Sequence, residues 1–182
     1  MPHIPLHPDL PGISALFDYR PETAVPLGQL AEVLLRGPST LTVGERELIA
    51  AVVSNGNECR FCTGSHAATA AETIEGGRPV VDAACAGVDD APVSAKVKAL
   101  LRIALAVRES GRAVTDSLVE AARADGATDV ELHDTVLIAA AFCLFNRYVD
   151  GLGTVAPEDP AAYVEIGKRL AAGGYAGMAG GE

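Results

Sequence analysis

The sequence predicts an all-α fold, a compact bundle of about seven helices with no sheet. Three observations support this class. Aromatic residues make up only 4 % of the 182 residues, and tryptophan is absent. The chain is rich in alanine and leucine, which favour helices, whereas strands prefer β-branched and aromatic side chains. No segment alternates apolar and polar residues with the period of two that is typical of a half-buried strand.

The spacing of apolar residues and the end signals place the helices along the chain. Thr42 and Glu45 have the spacing of a capping box, and Ser94 precedes a strongly amphipathic segment as an N-cap. The longest segment is apolar on every side in its middle, which is typical of a bundle centre or a subunit interface. We expect seven helices, over residues 26–36, 42–55, 59–74, 94–111, 115–126, 130–148 and 161–172, and a short helical piece over residues 80–86.

The length fits one domain, with distinct segments at both ends. Residues 1–12 contain four prolines and are predicted to form an extended, proline-rich N-terminal arm. Residues 13–172 form the single helical domain. Residues 173–182 are a tail rich in glycine and alanine, which we expect to be mobile.

The charge and hydropathy of the chain exclude several classes of partner. The formal net charge of −10 argues against binding to nucleic acid or to an anionic membrane. The longest apolar run, Val136–Phe145, is ten residues, too short to span a bilayer. The N-terminus has no pattern of a secretory signal, so we expect a cytoplasmic protein. In that reducing setting its four cysteines are expected to be redox-active, metal-bound or buried rather than structural disulfides.

One segment carries chemistry: Cys59 and Cys62 are spaced as C-x-x-C, and His66 follows four residues later. On a helix starting by Cys59, these three side chains share one face. The two sulfurs are then within reach of a disulfide, and the helix N-terminus favours a thiolate. A thiolate beside a second thiol is the minimum equipment for reducing a peroxide, since a sulfenic acid can condense to a disulfide. A nearby histidine would supply the proton that the leaving alkoxide needs.

The same segment could also indicate a zinc site, a c-type haem or a thioredoxin-like site. Zinc could be bound by Cys59, Cys62 and His66, with Cys85, Glu47 or another histidine as fourth ligand, but no second ligand pair follows. A c-type haem is excluded because Thr63, not histidine, follows the second cysteine. A thioredoxin-like site requires a βαβ context, which the sequence lacks. We therefore predict no metal and no organic cofactor.

The segment 41–50 with Glu47, followed by Cys59-x-x-Cys62-x-x-x-His66, resembles the AhpD-like alkylhydroperoxidase branch of the carboxymuconolactone decarboxylase family. The stretch 145–153 is similar to the family's peroxidase-related members, and the resemblance covers about residues 10–155. It implies Cys62 as the peroxide-attacking sulfur, Cys59 as its disulfide partner, and Glu47 with His66 as a proton relay. It also implies a homo-oligomer, often a trimer or hexamer, and re-reduction by an external dithiol such as a dihydrolipoyl protein.

The sequence departs from the family pattern at Phe61, where the best-known peroxidases carry a second histidine between the cysteines. Decarboxylase members typically lack the cysteine pair. We therefore predict an alkylhydroperoxidase-like enzyme with an antioxidant role. A non-catalytic dithiol switch and a decarboxylase-like enzyme are the alternatives.

The remaining candidate residues are assigned weaker roles. Cys85 and Cys143 are expected to be small buried residues. His133 is expected to lie on the surface of the long helix. Asn146 and Arg147 could line either a pocket or an interface, and the sequence does not decide between these two placements.

Overall fold

The structure is a computed structural model that describes residues 1–179. Within those residues it contains nine α-helices and no strand, which confirms the predicted all-α class. The helices are α1 (Ile13–Tyr19), α2 (Pro21–Arg36), α3 (Val43–Gly56), α4 (Arg60–Thr73), α5 (Gly77–Ala86), α6 (Ala95–Glu109), α7 (Asp116–Ala124), α8 (Asp129–Gly151) and α9 (Pro160–Gly173). Two short 3₁₀ segments cover Gly111–Ala113 and Ala176–Ala179.

The predicted number of helices, about seven, is too low for residues 1–179. The sequence patterns missed α1, and they placed the start of α2 at Pro26 instead of Pro21. Pro21 is tolerated because the first residues of a helix need no partner for their N–H groups. Both missed stretches are shorter than about two helical turns, too short to show the periodicity on which the prediction relied.

Helix α3 lies at the centre of the fold. Ten of its fourteen residues are buried, and it packs against α4, α5, α6 and α8. Its N-terminus is fixed by the predicted capping box, in which the Thr42 hydroxyl accepts from the N–H of Glu45 and the Glu45 carboxylate accepts from the N–H of Thr42. Because neighbours surround α3 on every side, Glu47 on this helix is carried into the interior.

Helix α8 is apolar on every side in its middle, as predicted, but one side faces outward. Phe142 and Phe145 are buried in the core, whereas Val136, Leu137 and Leu144 are 38 %, 38 % and 47 % exposed. The helix therefore lies at the surface of the subunit rather than at its centre. At 23 residues it is the longest helix described, and none in residues 1–179 is long and apolar enough to cross a membrane.

The N-terminal arm and the first part of the tail pack against the domain. In the arm, the N–H of His3 donates to the carbonyl of Leu152 (3.0 Å) and that of Gly12 to the carbonyl of Val155 (2.9 Å). In the tail, Tyr175 is only 4 % exposed, and its N–H donates to Glu32 on α2 at 2.6 Å. Mobility was predicted for the whole tail; its first part packs on α2, and residues 180–182 lie outside the described residues.

Helices α4 and α9 approach closely because small residues face each other at their contact. A Cβ added at Gly167 of α9 would lie 2.7 Å from the backbone and from the Cβ of Ala68 on α4. The ring of Tyr163 on α9 packs over Gly64 of α4 in the same way. This contact sets α9 directly over the helix that carries Cys62 and His66.

Replacement of Gly167 with alanine should destabilise the protein, because the added methyl group would overlap Ala68. Overpacking of this kind lowers the free energy of unfolding by about 1–3 kcal/mol, which urea denaturation measures. Gly151→Ala is the matched control, since nothing lies within 4 Å of a Cβ added there. An equal effect of the two substitutions would contradict the tight contact between α4 and α9.

Candidate active site

A strained turn connects α3 to α4 and fixes the position of Cys59. Glu58 has a φ of 59°, and it is the one non-glycine residue with positive φ in residues 1–179. Its N–H donates to the carbonyl of Asn55 (3.0 Å), and the N–H of Cys59 donates to that of Ser54 (3.1 Å). These two bonds close α3 in a Schellman motif. A residue other than glycine is held in the left-handed region at a cost of about 1–2 kcal/mol.

Cys59 and Cys62 are free, buried thiols in the first turn of α4. The helix begins at Arg60, so Cys59 is the N-cap residue and Cys62 the third helical residue. A hydrogen bond with Cys62, together with burial, raises the pKa of the Cys59 thiol well above its usual value. The helix N-terminus was expected to lower a thiol pKa, but for Cys59 these two effects are larger. Cys59 therefore keeps its proton and donates it toward the sulfur of Cys62.

His66 lies one turn after Cys62 on α4, and its Nδ1 is 2.8 Å from Oε2 of Glu47 on α3. Burial alone would raise the pKa of Glu47, but the hydrogen bond and charge of His66, with the charge of Arg36, lower it below its usual value. Glu47 is therefore ionised and only accepts hydrogen bonds. The proton of a neutral His66 is accordingly assigned to Nδ1, which leaves a lone pair on Nε2.

Two further residues contact Glu47 that the sequence analysis did not identify. Nη1 of Arg36 lies 2.7 Å from Oε1 of Glu47, and the Tyr175 hydroxyl donates to the same oxygen at 2.7 Å. The Tyr175 ring stacks on His66 with 5.8 Å between centroids, and the Arg36 guanidinium lies 5.1 Å from the centre of that ring. Burial and the Glu47 carboxylate raise the pKa of Tyr175, so its hydroxyl stays a donor.

Only one of these two residues had a signal in the sequence. Tyr175 is the single aromatic residue of the tail, where a large side chain among glycines and alanines indicates a buried contact. Arg36 is the last residue of α2, a common position for a cation that interacts with the helix dipole. Nothing in the sequence distinguishes it from such an arginine.

A cavity of about 190 Å³ opens beside the cysteine pair. Cys62 and His66 line the cavity, whereas Cys59 and Glu47 lie behind them and are fully buried. Its walls come from α1, α2, α4, α8 and α9, from the end of the proline-rich arm, and from Tyr175 of the tail. A small molecule in the cavity can therefore contact the sulfur of Cys62 and the imidazole of His66. The Cys59 thiol and the Glu47 carboxylate lie behind them and do not line the cavity.

Phe61, between the two cysteines, forms part of the cavity wall. Its ring packs against Gly12 at the end of the arm and lies 6.4 Å from the Tyr163 ring, centroid to centroid. The family pattern that the sequence resembles has a histidine at this position. A phenyl ring has no proton to donate, so Phe61 contributes packing instead. His66 is the one imidazole among the residues that line the cavity.

Asn146 supports the site from behind and does not line the cavity. Its amide donates to the Ser54 hydroxyl (3.0 Å), and its carbonyl oxygen accepts from Asn57 at 2.8 Å. These bonds join α8 to the turn that precedes Cys59. Arg147, in contrast, is exposed and donates to the carbonyl of Cys143 at 3.0 Å.

The other candidate residues lie away from the cavity. Cys143 is buried, as expected, whereas Cys85 is only partly buried. Burial is the main cause that raises the pKa of the Cys85 thiol to about 11, which makes it a poor nucleophile. His133 is exposed, as predicted, and pairs with Asp134 at 3.1 Å.

The residues considered as zinc ligands do not form a site together. Within residues 1–179, no three histidine, cysteine or acidic side chains are grouped so as to hold a metal ion. Glu47 is bonded to His66, Arg36 and Tyr175. Cys85, the third cysteine considered as a ligand, lies on α5.

Glu47→Gln should remove a pH-dependent part of the stability. Because folding lowers the pKa of Glu47, its ionised form stabilises the fold above the unfolded-state pKa, and this contribution is lost as pH falls through the folded-state value. At neutral pH the variant leaves Arg36, whose side chain is 11 % exposed, without its carboxylate, which costs about 3 kcal/mol.

Urea unfolding of both proteins between about pH 7 and pH 3 measures the difference, which should shrink as pH falls. The exposed substitution Glu120→Gln serves as control. A constant difference across this range would contradict an ionised Glu47.

Among known proteins, the chain is similar to solved structures only. No protein-family model matches the chain, and no curated protein sequence is similar to it. An alkylhydroperoxidase AhpD core, an uncharacterized peroxidase-related protein from Ralstonia eutropha JMP134, superposes with a TM-score of 0.77 at 26 % identity, covering 87 % of this chain and 82 % of that one. An uncharacterized peroxidase-related protein from Silicibacter sp. TM1040 superposes with a TM-score of 0.75 at 23 % identity, covering 85 % and 78 %. The chain has the AhpD-like fold, and the resemblance indicated by its sequence is confirmed.

Proposed function

We propose that the protein reduces organic hydroperoxides through a dithiol–disulfide cycle of Cys62 and Cys59. The observation that supports this most directly is the difference between the two sulfurs. Cys62 lines the cavity beside His66, whereas Cys59 is buried behind it and has a raised pKa. One thiol is thus placed to meet a substrate, and the other is placed to meet the first.

In the first step, Nε2 of His66 takes the proton of Cys62, and the thiolate attacks the O–O bond of the hydroperoxide. A sulfur–oxygen bond forms and the O–O bond breaks, so that Cys62 becomes a sulfenic acid. The departing alkoxide takes the proton from His66 and leaves as an alcohol. The peroxide is reduced by two electrons, and the sulfur is oxidised by two.

In the second step, Cys59 attacks the sulfenic sulfur of Cys62. The disulfide forms and the hydroxyl leaves as water with the proton of Cys59. An external dithiol, such as a dihydrolipoyl group on a protein, then restores both thiols by exchange and becomes a disulfide itself.

The relay behind His66 consists of Glu47 and its two partners. Glu47 holds the Nδ1 proton of His66 and thereby keeps Nε2 available as a base. Arg36 keeps the Glu47 carboxylate ionised. The Tyr175 hydroxyl donates a hydrogen bond to that carboxylate, and the Tyr175 ring stacks on the imidazole of His66. Arg36 and Tyr175 act through Glu47 and are positioning residues.

Two further parts of the proposal concern the surroundings of the enzyme. Re-reduction by a dithiol requires a reducing compartment, and we place the protein in the cytoplasm for that reason. We also propose a homo-oligomer, a trimer or hexamer. The exposed apolar side chains Val136, Leu137 and Leu144 on one side of α8 support it, because water-exposed apolar stripes of this kind mark interfaces.

The two cysteines should respond differently to serine substitution. Cys62→Ser should abolish peroxide consumption. Cys59→Ser should consume one equivalent and stop at the sulfenic acid, because no thiol remains to condense with it. The readouts are the consumption of tert-butyl hydroperoxide by the reduced proteins without added thiol, and the mass of the oxidised protein; turnover is measured separately with dithiothreitol.

Cys85→Ser, outside the cavity, is the matched control and should turn over like the unmodified protein. The reverse pattern for Cys59 and Cys62 would exchange their roles. If the unmodified protein reacts once and stops despite excess dithiol, the pair is a redox switch and the proposed enzyme activity is wrong.

Tyr175→Phe tests the positioning of Glu47, because it keeps the stacked ring and removes only the hydroxyl. Loss of a hydrogen bond to a carboxylate should lower kcat/KM about tenfold. Since the Tyr175 bond lowers the pKa of Glu47, the acidic limb of the pH profile should move to higher pH. The exposed residue Tyr19 provides the control Tyr19→Phe. An unshifted profile would show that the hydroxyl has no part in the relay.

A further inference from the structure

The cavity beside Cys62 has mostly apolar walls. Half of its lining residues are leucine, isoleucine or phenylalanine, among them Leu27, Phe142, Phe145 and Ile166. A cavity of about 150 Å³ with such walls is large enough to hold benzene. At about 190 Å³, this one has room for an apolar group slightly larger than benzene. Hydrogen peroxide would leave most of this surface without contact.

One side chain with a permanent charge, Arg169, lines the cavity among the described residues. It lies on α9 three residues after Ile166 and one before Leu170, so it belongs to the face of the helix that faces the cavity. Its neighbour Lys168 is paired with Glu165. No carboxylate in residues 1–179 forms a salt bridge with Arg169, although acidic residues exceed basic ones by 24 to 14.

We infer that the site selects amphipathic hydroperoxides that carry a carboxylate. The apolar body of the substrate fills the cavity, its peroxide group meets Cys62, and its carboxylate pairs with the guanidinium of Arg169. This specificity rests on the proposed peroxidase function and narrows its substrate class. The positive charge offsets the repulsion that a protein of net charge −10 exerts on an anionic substrate.

A carboxylate suits this position because a planar guanidinium binds it through two parallel hydrogen bonds. Arg169 is exposed on its outer side, so the charged group of the substrate stays partly hydrated while its apolar part is buried. Such an arrangement avoids the cost of burying an ion in an apolar cavity.

The test compares two substrates that differ by one carboxylate group: cumene hydroperoxide and its para-carboxylate derivative. The measured quantity is the ratio of kcat/KM for the carboxylate over kcat/KM for the neutral compound. In Arg169→Gln this ratio should fall about fivefold, since a partly exposed ion pair contributes up to about 1 kcal/mol. Arg169→Lys should restore part of the ratio.

The matched control is Lys168→Gln, which removes the same charge from the adjacent position outside the cavity. Its ratio should equal that of the unmodified protein. An equal fall in both variants would show an effect of overall charge and would overturn the inference. So would an Arg169→Gln variant that slows both substrates by the same factor, because Arg169 would then act on the thiolate.

A binding measurement separates this inference from the proposed function. The Cys62→Ser protein should bind 4-isopropylbenzoate, which has no peroxide group, and Arg169→Gln in that background should weaken binding about fivefold. If the unmodified protein reduces no hydroperoxide, the proposed function is wrong, whatever this titration shows. If it reduces hydroperoxides but the titration shows no dependence on Arg169, only the substrate class is wrong.

Discussion

The buried carboxylate of Glu47 is the charge around which the site is built. A carboxylate without partners would be very costly in this interior, so the fold must bring positive charge and hydrogen-bond donors to it. Arg36 arrives from the end of α2, His66 from α4 and Tyr175 from the tail. Glu47 therefore fixes the tail against the domain as much as it orients the imidazole. The packing of the tail and the orientation of the imidazole therefore both depend on the Glu47 carboxylate.

The two cysteines differ in how the fold holds them and in what they face. Cys59 sits at the joint of a Schellman turn and a helix N-cap, where the backbone of α3 and α4 fixes it completely. Cys62 is three residues further along, on the side of α4 that faces the cavity. The strained conformation of Glu58 is thus tied to the position of the pair, since it turns the chain directly before Cys59. Strain of this kind persists when the surrounding structure holds it in place.

Whether the sequence predicted an interaction depended mainly on how far apart its two residues lie along the chain. Local signals, such as the capping box of Thr42 and Glu45 and the helical spacing of Cys62 and His66, identified α3 and α4 correctly. Helix α1 was missed because its apolar pattern is shorter than two turns. Arg36 was missed because it looks like any cation at the end of a helix, and Tyr175 because its partner is distant in sequence. Tyr175 lies 128 residues from Glu47, and no periodicity reports a contact of that range.

The presence of Phe61 between the cysteines constrains how protons move. His66 is the one imidazole among the cavity-lining residues, so in the proposed mechanism it both takes the proton of Cys62 and protonates the alkoxide. The same Nε2 must do both in succession, and the proton gained in the first transfer is the one spent in the second. Water entering between these transfers would compete for that proton. The apolar walls and the arm packed on Phe61 offer few hydrogen-bonding partners to water, so a phenylalanine at this position favours a site served by a single imidazole.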